Sequence, residues 1–156
     1  MARKTPEEKA AGRRQRMLEW FRTLTVGSCV RETAKQFQKM IRMEAADDNG
    51  FVMCCSCGKS LNYKEVDAGH YVTRSCRATI FDEHNCHPQC KRCNCWEGKQ
   101  QVAVNYEAFM VRTYGAGEVA RLMGLKNTKK QWTKEELVDL RIEFMDRVKV
   151  QEKRLG

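Results

Sequence analysis

The chain has 156 residues, room for one modest domain with appended helices and too little for two full cores. Two prolines and 31% charged residues exclude disordered and fibrous classes. The formal charge of +9 favours a polyanionic partner, because each neutralised phosphate releases counterions, and no apolar run of about 18 residues is present to span a membrane.

The chain opens with a helix signature, Thr5 as N-cap, Pro6 at the first helical position and Glu8 three after the cap, over a basic segment ending near Gly27. A second helix is predicted from about Ser28 to Ala45, where Val30, Ala34, Phe37 and Ile41 line one face. Asp47-Asp48-Asn49-Gly50 breaks it as a turn. Short strands are expected around Tyr71–Thr73 and Thr79–Phe81. A helix resumes from about Lys91, with Val102, Tyr106, Phe109 and Met110 as its core face, and stops at Gly115-Ala116-Gly117. A short helix over Glu118–Met123 closes with Gly124. The last begins with the capping box Thr133 to Glu136 and buries Leu137, Leu140, Phe144 and Val148. The fold class is α+β: a metal-centred middle flanked by helices.

The charged N-terminus lacks the apolar stretch of a signal peptide, so a reducing cytoplasm is expected. There, nine cysteines point to metal ligation or catalysis rather than disulfides. Cys54-Cys-Ser-Cys57 and Cys90-Lys-Arg-Cys93 are two Cys-x2-Cys knuckles, each a tight turn that points two thiolates at one tetrahedral Zn²⁺. Gly58 fits the positive φ such a turn needs. Four thiolates leave no open coordination position, so the zinc is structural and supplies folding energy. A pair of redox Cys-x-x-Cys motifs is the alternative reading. Cys29, Cys55, Cys76, Cys86 and Cys95 read as ordinary small thiols.

Between and beside the knuckles stand His70 on an incipient strand, Asn85 five residues before Cys90, and Asn94 directly after Cys93. This order resembles the zinc-bearing HNH endonucleases (His-Me finger, ββα-metal), as an HNN variant. The runs Asp67-Ala-Gly-His-Tyr-Val-Thr-Arg74 and Phe81-Asp-Glu-His-Asn-Cys-His-Pro-Gln-Cys-Lys-Arg-Cys-Asn94 resemble the lambdoid phage NinG (Rap) recombination family, over roughly residues 28–150. The resemblance implies a ββα-metal core and a nuclease for branched DNA such as recombination junctions, encoded by a phage and working in the bacterial cytoplasm.

On that resemblance His70 is the general base, Asn85 bonds loop backbone and braces the hairpin, and Asn94 holds a catalytic Mg²⁺ or Mn²⁺. Gly69 stands where many such enzymes carry a second acidic ligand, and Asp67 is expected to face away from it. Asn94 read alone is also a plain N-cap, with Glu97 three residues on. Arg74, Arg77, Lys91, Arg92 and Lys99 are expected to contact phosphates without reading sequence. His84 and His87 read as structural. The segments are 1–27 (basic helical), 28–114 (zinc-bearing nuclease domain with leading helix) and 115–156 (helical extension). A junction's two-fold character is compatible with a homodimer. Competing readings are a non-catalytic zinc-knuckle DNA-binding accessory protein and a thiol redox protein.

Overall fold

In the computed structural model, residues 5–95 and 100–156 are described. The helix α1 spans Pro6–Arg22 and carries the Thr5–Glu8 capping box, with both reciprocal bonds made. It ends at Arg22 rather than near Gly27, because Thr25 starts α2 (Val26–Glu44) by accepting the Ser28 N–H at 3.2 Å. Gly27 therefore lies inside the first turn of α2, and the helix begins two residues before Ser28.

Two antiparallel hairpins follow. The strands β1 (Phe51–Met53) and β2 (Ser60–Asn62) pair Val52 with Leu61. The strands β3 (Val66–His70) and β4 (Cys86–Cys90) pair Asp67 with Gln89, Gly69 with His87 and His70 with Cys86. The expected strands at 71–73 and 79–81 are not strands. Both segments belong to the long connection between β3 and β4, where residues 76–82 close successive turns, Cys76 N–H to Thr73 O and Asp82 N–H to Thr79 O. A single 3-10 turn at Glu83–Asn85 leads into β4.

After β4 come α3 (Lys91–Asn94) and α4 (Gln100–Tyr114), then α5 (Ala116–Leu125) beyond Gly115 at φ 86°, and α6 (Lys134–Leu155), capped by Thr133 and Glu136. The helix α5 is longer at both ends than residues 118–123, since Gly124 stays helical.

The core sits where α2 and α6 pack together and close over β3 and β4: Phe37, Met40, Ile41, Phe144 and Val148 meet Ala68 and Cys86. Beside it Leu18, Phe21 and Val30 pack on Leu137 and Val138, joining α1 to the same layer. A separate cluster of Cys55, Val72, Tyr106, Met110 and Leu122 seats α4 and α5 on the other face of the hairpin. Thus β3 and β4 are clamped between two helical layers, and the ends of β3 become the positions that can carry polar side chains. Among the described residues no helix is long and apolar enough to cross a membrane.

Candidate functional site

The four knuckle cysteines converge. Cys54 and Cys57 sit on the turn joining β1 to β2, where Cys54 N–H donates to Lys59 O and Gly58 N–H donates to Cys54 O, both at 2.9 Å. Gly58 holds φ 70°, the left-handed region that favours glycine. Cys90 ends β4 and Cys93 lies in α3. The four sulfurs lie within 4.8 Å of one another, and Cys57 Sγ to Cys90 Sγ is 3.9 Å. A tetrahedral Zn²⁺ with Zn–S of about 2.3 Å requires an S···S edge of about 3.8 Å, so spacing and donor set both fit zinc. Burial raises the Cys54 thiol, but backbone N–H bonds from Cys90, Cys57 and Ser56 outweigh it and set Cys54 below the ordinary thiol value. Cys57 and Cys93 are held high by burial and by the sulfurs beside them, which a bound cation reverses.

The other five thiols stand apart from that cluster. Cys55 is buried and pushed up to about 12, and Cys86, deeper still, lies further above the thiol range. Cys29 packs under α1, Cys76 donates to Leu125 O, and Cys95 is exposed.

His70 ends β3, and its Nε2 is 3.0 Å from Ile80 O. A carbonyl only accepts, so the proton sits on Nε2 and Nδ1 keeps the lone pair. Nδ1 is 3.8 Å from Cys86 Sγ, which is a weak partner. Burial lowers the His70 pKa below the ordinary imidazole value; the Ile80 bond opposes this and the Arg74 charge adds to it. The ring is therefore neutral at pH 7.

Asn85 is fully buried. Its Oδ1 accepts Val72 N–H at 2.7 Å, and its Nδ2 donates to Val72 O and Thr79 O at 2.9 and 3.0 Å. Tyr71 N–H adds a bond to Asn85 O at 2.8 Å. These bonds span the loop that delivers Ile80 to His70.

Asn94 and Asp67 come together, Nδ2 to Oδ2 at 3.1 Å, in a cleft of about 260 Å³ lined also by Gln38, Arg42, Ala68 and Arg74. The expectation that Asp67 faces away from Gly69 is corrected: residues two apart on a strand share a face. Gly69 itself has no room for a side chain, since a Cβ there would stand 2.2 Å from Gln89 Oε1, and Gln89 is held by Ser56 Oγ at 2.7 Å. His70 is on the opposite face of β3 from Asp67, does not line the cleft, and bonds Ile80 O rather than Asn94. Arg74 links the two places, lining the cleft while its charge acts on His70.

The expected phosphate contacts divide. Arg74 and Arg77 line a groove beside α2, whereas Lys91 and Arg92 stand with Cys57 and Cys93 on the cysteine side. Lys99, and the Glu97 of the N-cap alternative, lie outside the described residues.

His87 is buried between two phenols, Nδ1 at 3.1 Å from Tyr106 Oη and Nε2 at 2.8 Å from Tyr114 Oη. Tyr106 in turn donates to Gly69 O at 2.7 Å, tying α4 to the residue before His70. The periodicity of α4 marked Tyr106 as core, and nothing in it signalled this bond. Asp82, His84 and Glu118 form a second group close enough for a metal, but Arg121 fills that role, Nη2 to Asp82 Oδ2 at 2.6 Å and Nε to Glu118 Oε2 at 2.9 Å.

Two hairpins joined through four cysteines and sheathed by helices define a small α+β protein of the metal-knuckle kind. A protein-family model described as Bacteriophage Lambda NinG protein matches residues 2–154, and the chain belongs to that family. Membership points to a phage recombination-related function and takes in the N-terminal helix, which the motifs themselves left out. No curated protein and no solved structure matches the chain.

Proposed function

We propose that the chain is a divalent-metal-dependent DNA endonuclease of the HNH type, acting on branched recombination intermediates. One observation carries it: a carboxylate from β3 and a carboxamide from α3 meet beside Arg74, on the strand that ends in His70. Asp67 has no ion-pair partner among the described residues, and carboxylate and carboxamide oxygens suit a hard cation. Asp67 and Asn94 would hold Mg²⁺ or Mn²⁺, which supplies charge neutralisation at the phosphate and its leaving oxygen. Arg74 orients the phosphate. His70 Nδ1 takes the proton of the attacking water, its Nε2–H fixed by Ile80 O. Zinc in the four cysteines holds the hairpins in register.

The branched preference rests on the family. A second reading, a non-catalytic zinc DNA-binding accessory protein, is favoured by His70 standing outside the cleft. The two part on one experiment. Wild type, His70→Ala and Asn94→Ala are incubated with a four-way junction and a matched linear duplex under Mg²⁺ or Mn²⁺. The nuclease reading expects junction cleavage by wild type, slowed about 10²-fold or more in His70→Ala with binding retained. No cleavage by wild type under either metal overturns it.

A further inference from the structure

The depressions around the long loop are continuous. The Asp67–Asn94 cleft shares Gln38 and Arg74 with a groove of about 600 Å³ between α2 and the loop, floored by Val30, Ala34 and Ile80. That groove shares Ser75 and Arg77 with a third depression of about 300 Å³, walled by residues 126–130 between α5 and α6. Among the described residues no acidic side chain lines the second or the third.

Several arginines away from this track are neutralised by carboxylates. Arg13, Arg14, Arg121, Arg147 and Arg154 each hold an aspartate or glutamate. Arg31, Arg74, Arg77, Lys126 and Lys129 have no acidic partner among the described residues; Arg31 has only Ser28 Oγ at 2.8 Å. Lys35 and Lys130, also on the track, are neutralised by Glu32 and Glu136. Unpaired like charges gathered along one continuous depression repel one another, and a polyanion laid along it removes that cost. Among the described residues no aromatic ring lines the second or the third depression, so stacking of bases has no platform there.

We infer that this track, from the cleft past Arg31 and Arg77 to Lys126 and Lys129, binds the sugar–phosphate backbone of a DNA arm leaving the cleft, without regard to sequence. The inference deepens the nuclease reading and rests on it for the identity of the polyanion. Phosphates lie against the guanidinium and ammonium groups, and condensed counterions are released. Its residues come from α2, the β3–β4 loop and the α5–α6 linker, three stretches far apart in the chain.

The test measures affinity against salt for a fluorescent duplex, using the zinc-loaded full chain without added Mg²⁺ or Mn²⁺. The triple variant Arg31→Ala/Lys126→Ala/Lys129→Ala removes three phosphate contacts. The slope of log K against log [salt] then becomes shallower by about 2.7, from about 0.9 per contact, equally for duplexes of different sequence. The control Lys64→Ala/Lys149→Ala/Lys153→Ala removes the same charge elsewhere and leaves the slope unchanged, with circular dichroism verifying both folds. Equal slope changes in the two triples, or none in the first, overturn the track. The failures are distinguishable: track-dependent binding without cleavage under Mg²⁺ or Mn²⁺ sinks only the nuclease reading. Cleavage with an unaltered slope in the first triple sinks only the track.

Discussion

Asn85 uses both amide protons and its carbonyl oxygen on the loop that follows His70. Asn85→Ala leaves the Val72 N–H and carbonyl unpartnered and takes one of two donors from Thr79 O, so stability is expected to fall by about 2–4 kcal/mol in urea denaturation. Asn85→Asp recovers the bond from Val72 N–H but neither donation, and buries a charge, so it is no rescue. His87 gives a pH signature. Burial foremost, with the other histidines, depresses its folded pKa to about 4, below the unfolded value of about 6.5. The neutral ring's contribution is therefore complete above about pH 6.5 and is lost as pH falls through 4, on the order of 3 kcal/mol over that window. His87→Gln is expected to flatten the stability–pH curve there relative to wild type, and an unchanged curve refutes the assignment. For His70 the lowered pKa means the basic form persists below the usual imidazole range. The acid limb of the cleavage–pH profile is expected on the acid side of pH 6.5. At this scale the four sulfur ligands are legible in the spacing alone, because a knuckle is a local turn. The Asp67–Asn94 contact is not, since it depends on β3 and α3 meeting across 27 residues.

The helices were readable for the same local reason: capping boxes and apolar periodicity are written within a few residues. Both capping boxes form as expected. Thr133→Ala removes the Oγ that accepts Glu136 N–H at 3.1 Å and is expected to cost about 1 kcal/mol, visible as a lower Tm. Beyond the strand placement of His70, the strands were not readable. Cys-His-Pro-Gln-Cys carries no β-branched residue and a proline, and Val-Asp-Ala-Gly-His little better. Their pairing is imposed from outside, by Gln89 filling the space over Gly69, by Tyr106 on Gly69 O and by the sulfurs at Cys90. The runs Tyr71–Thr73 and Thr79–Phe81 have better strand composition, yet Asn85 draws both into one loop. The boundary between α1 and α2 turns on Thr25, a cap two residues upstream of Gly27, the glycine expected to end the first helix.

Across the whole molecule, α1, α2 and α6 bring most of the large apolar side chains to the core, with Ala68 and Cys86 as the hairpin's share, whereas the two hairpins meet at the cysteine cluster. One zinc per chain is expected by elemental analysis, with an apparent binding free energy on the order of 10–16 kcal/mol that is folding energy for the middle. Cys90→Ser is expected to lose the metal and the cooperative melt of the hairpins. A native-like cooperative melt in that variant refutes the zinc assignment. The α+β class and the family follow from sequence, and the family now extends over residues 2–154. The continuity of the basic track does not, because α2, the β3–β4 loop and the α5–α6 linker become neighbours only on folding.

Arg121 gives the β3–β4 hairpin a second latch of a different kind. At one end of the hairpin four sulfurs would hold an ion that a chelator can withdraw; at the other, Asp82 and Glu118 close on a positive charge bonded into the chain itself. That guanidinium draws the Glu118 carboxyl down to about 2, so mild acid does not release it. Stripping zinc should thus unzip the hairpin from Cys90 inward and leave the turn bearing Asn85 moored to α5.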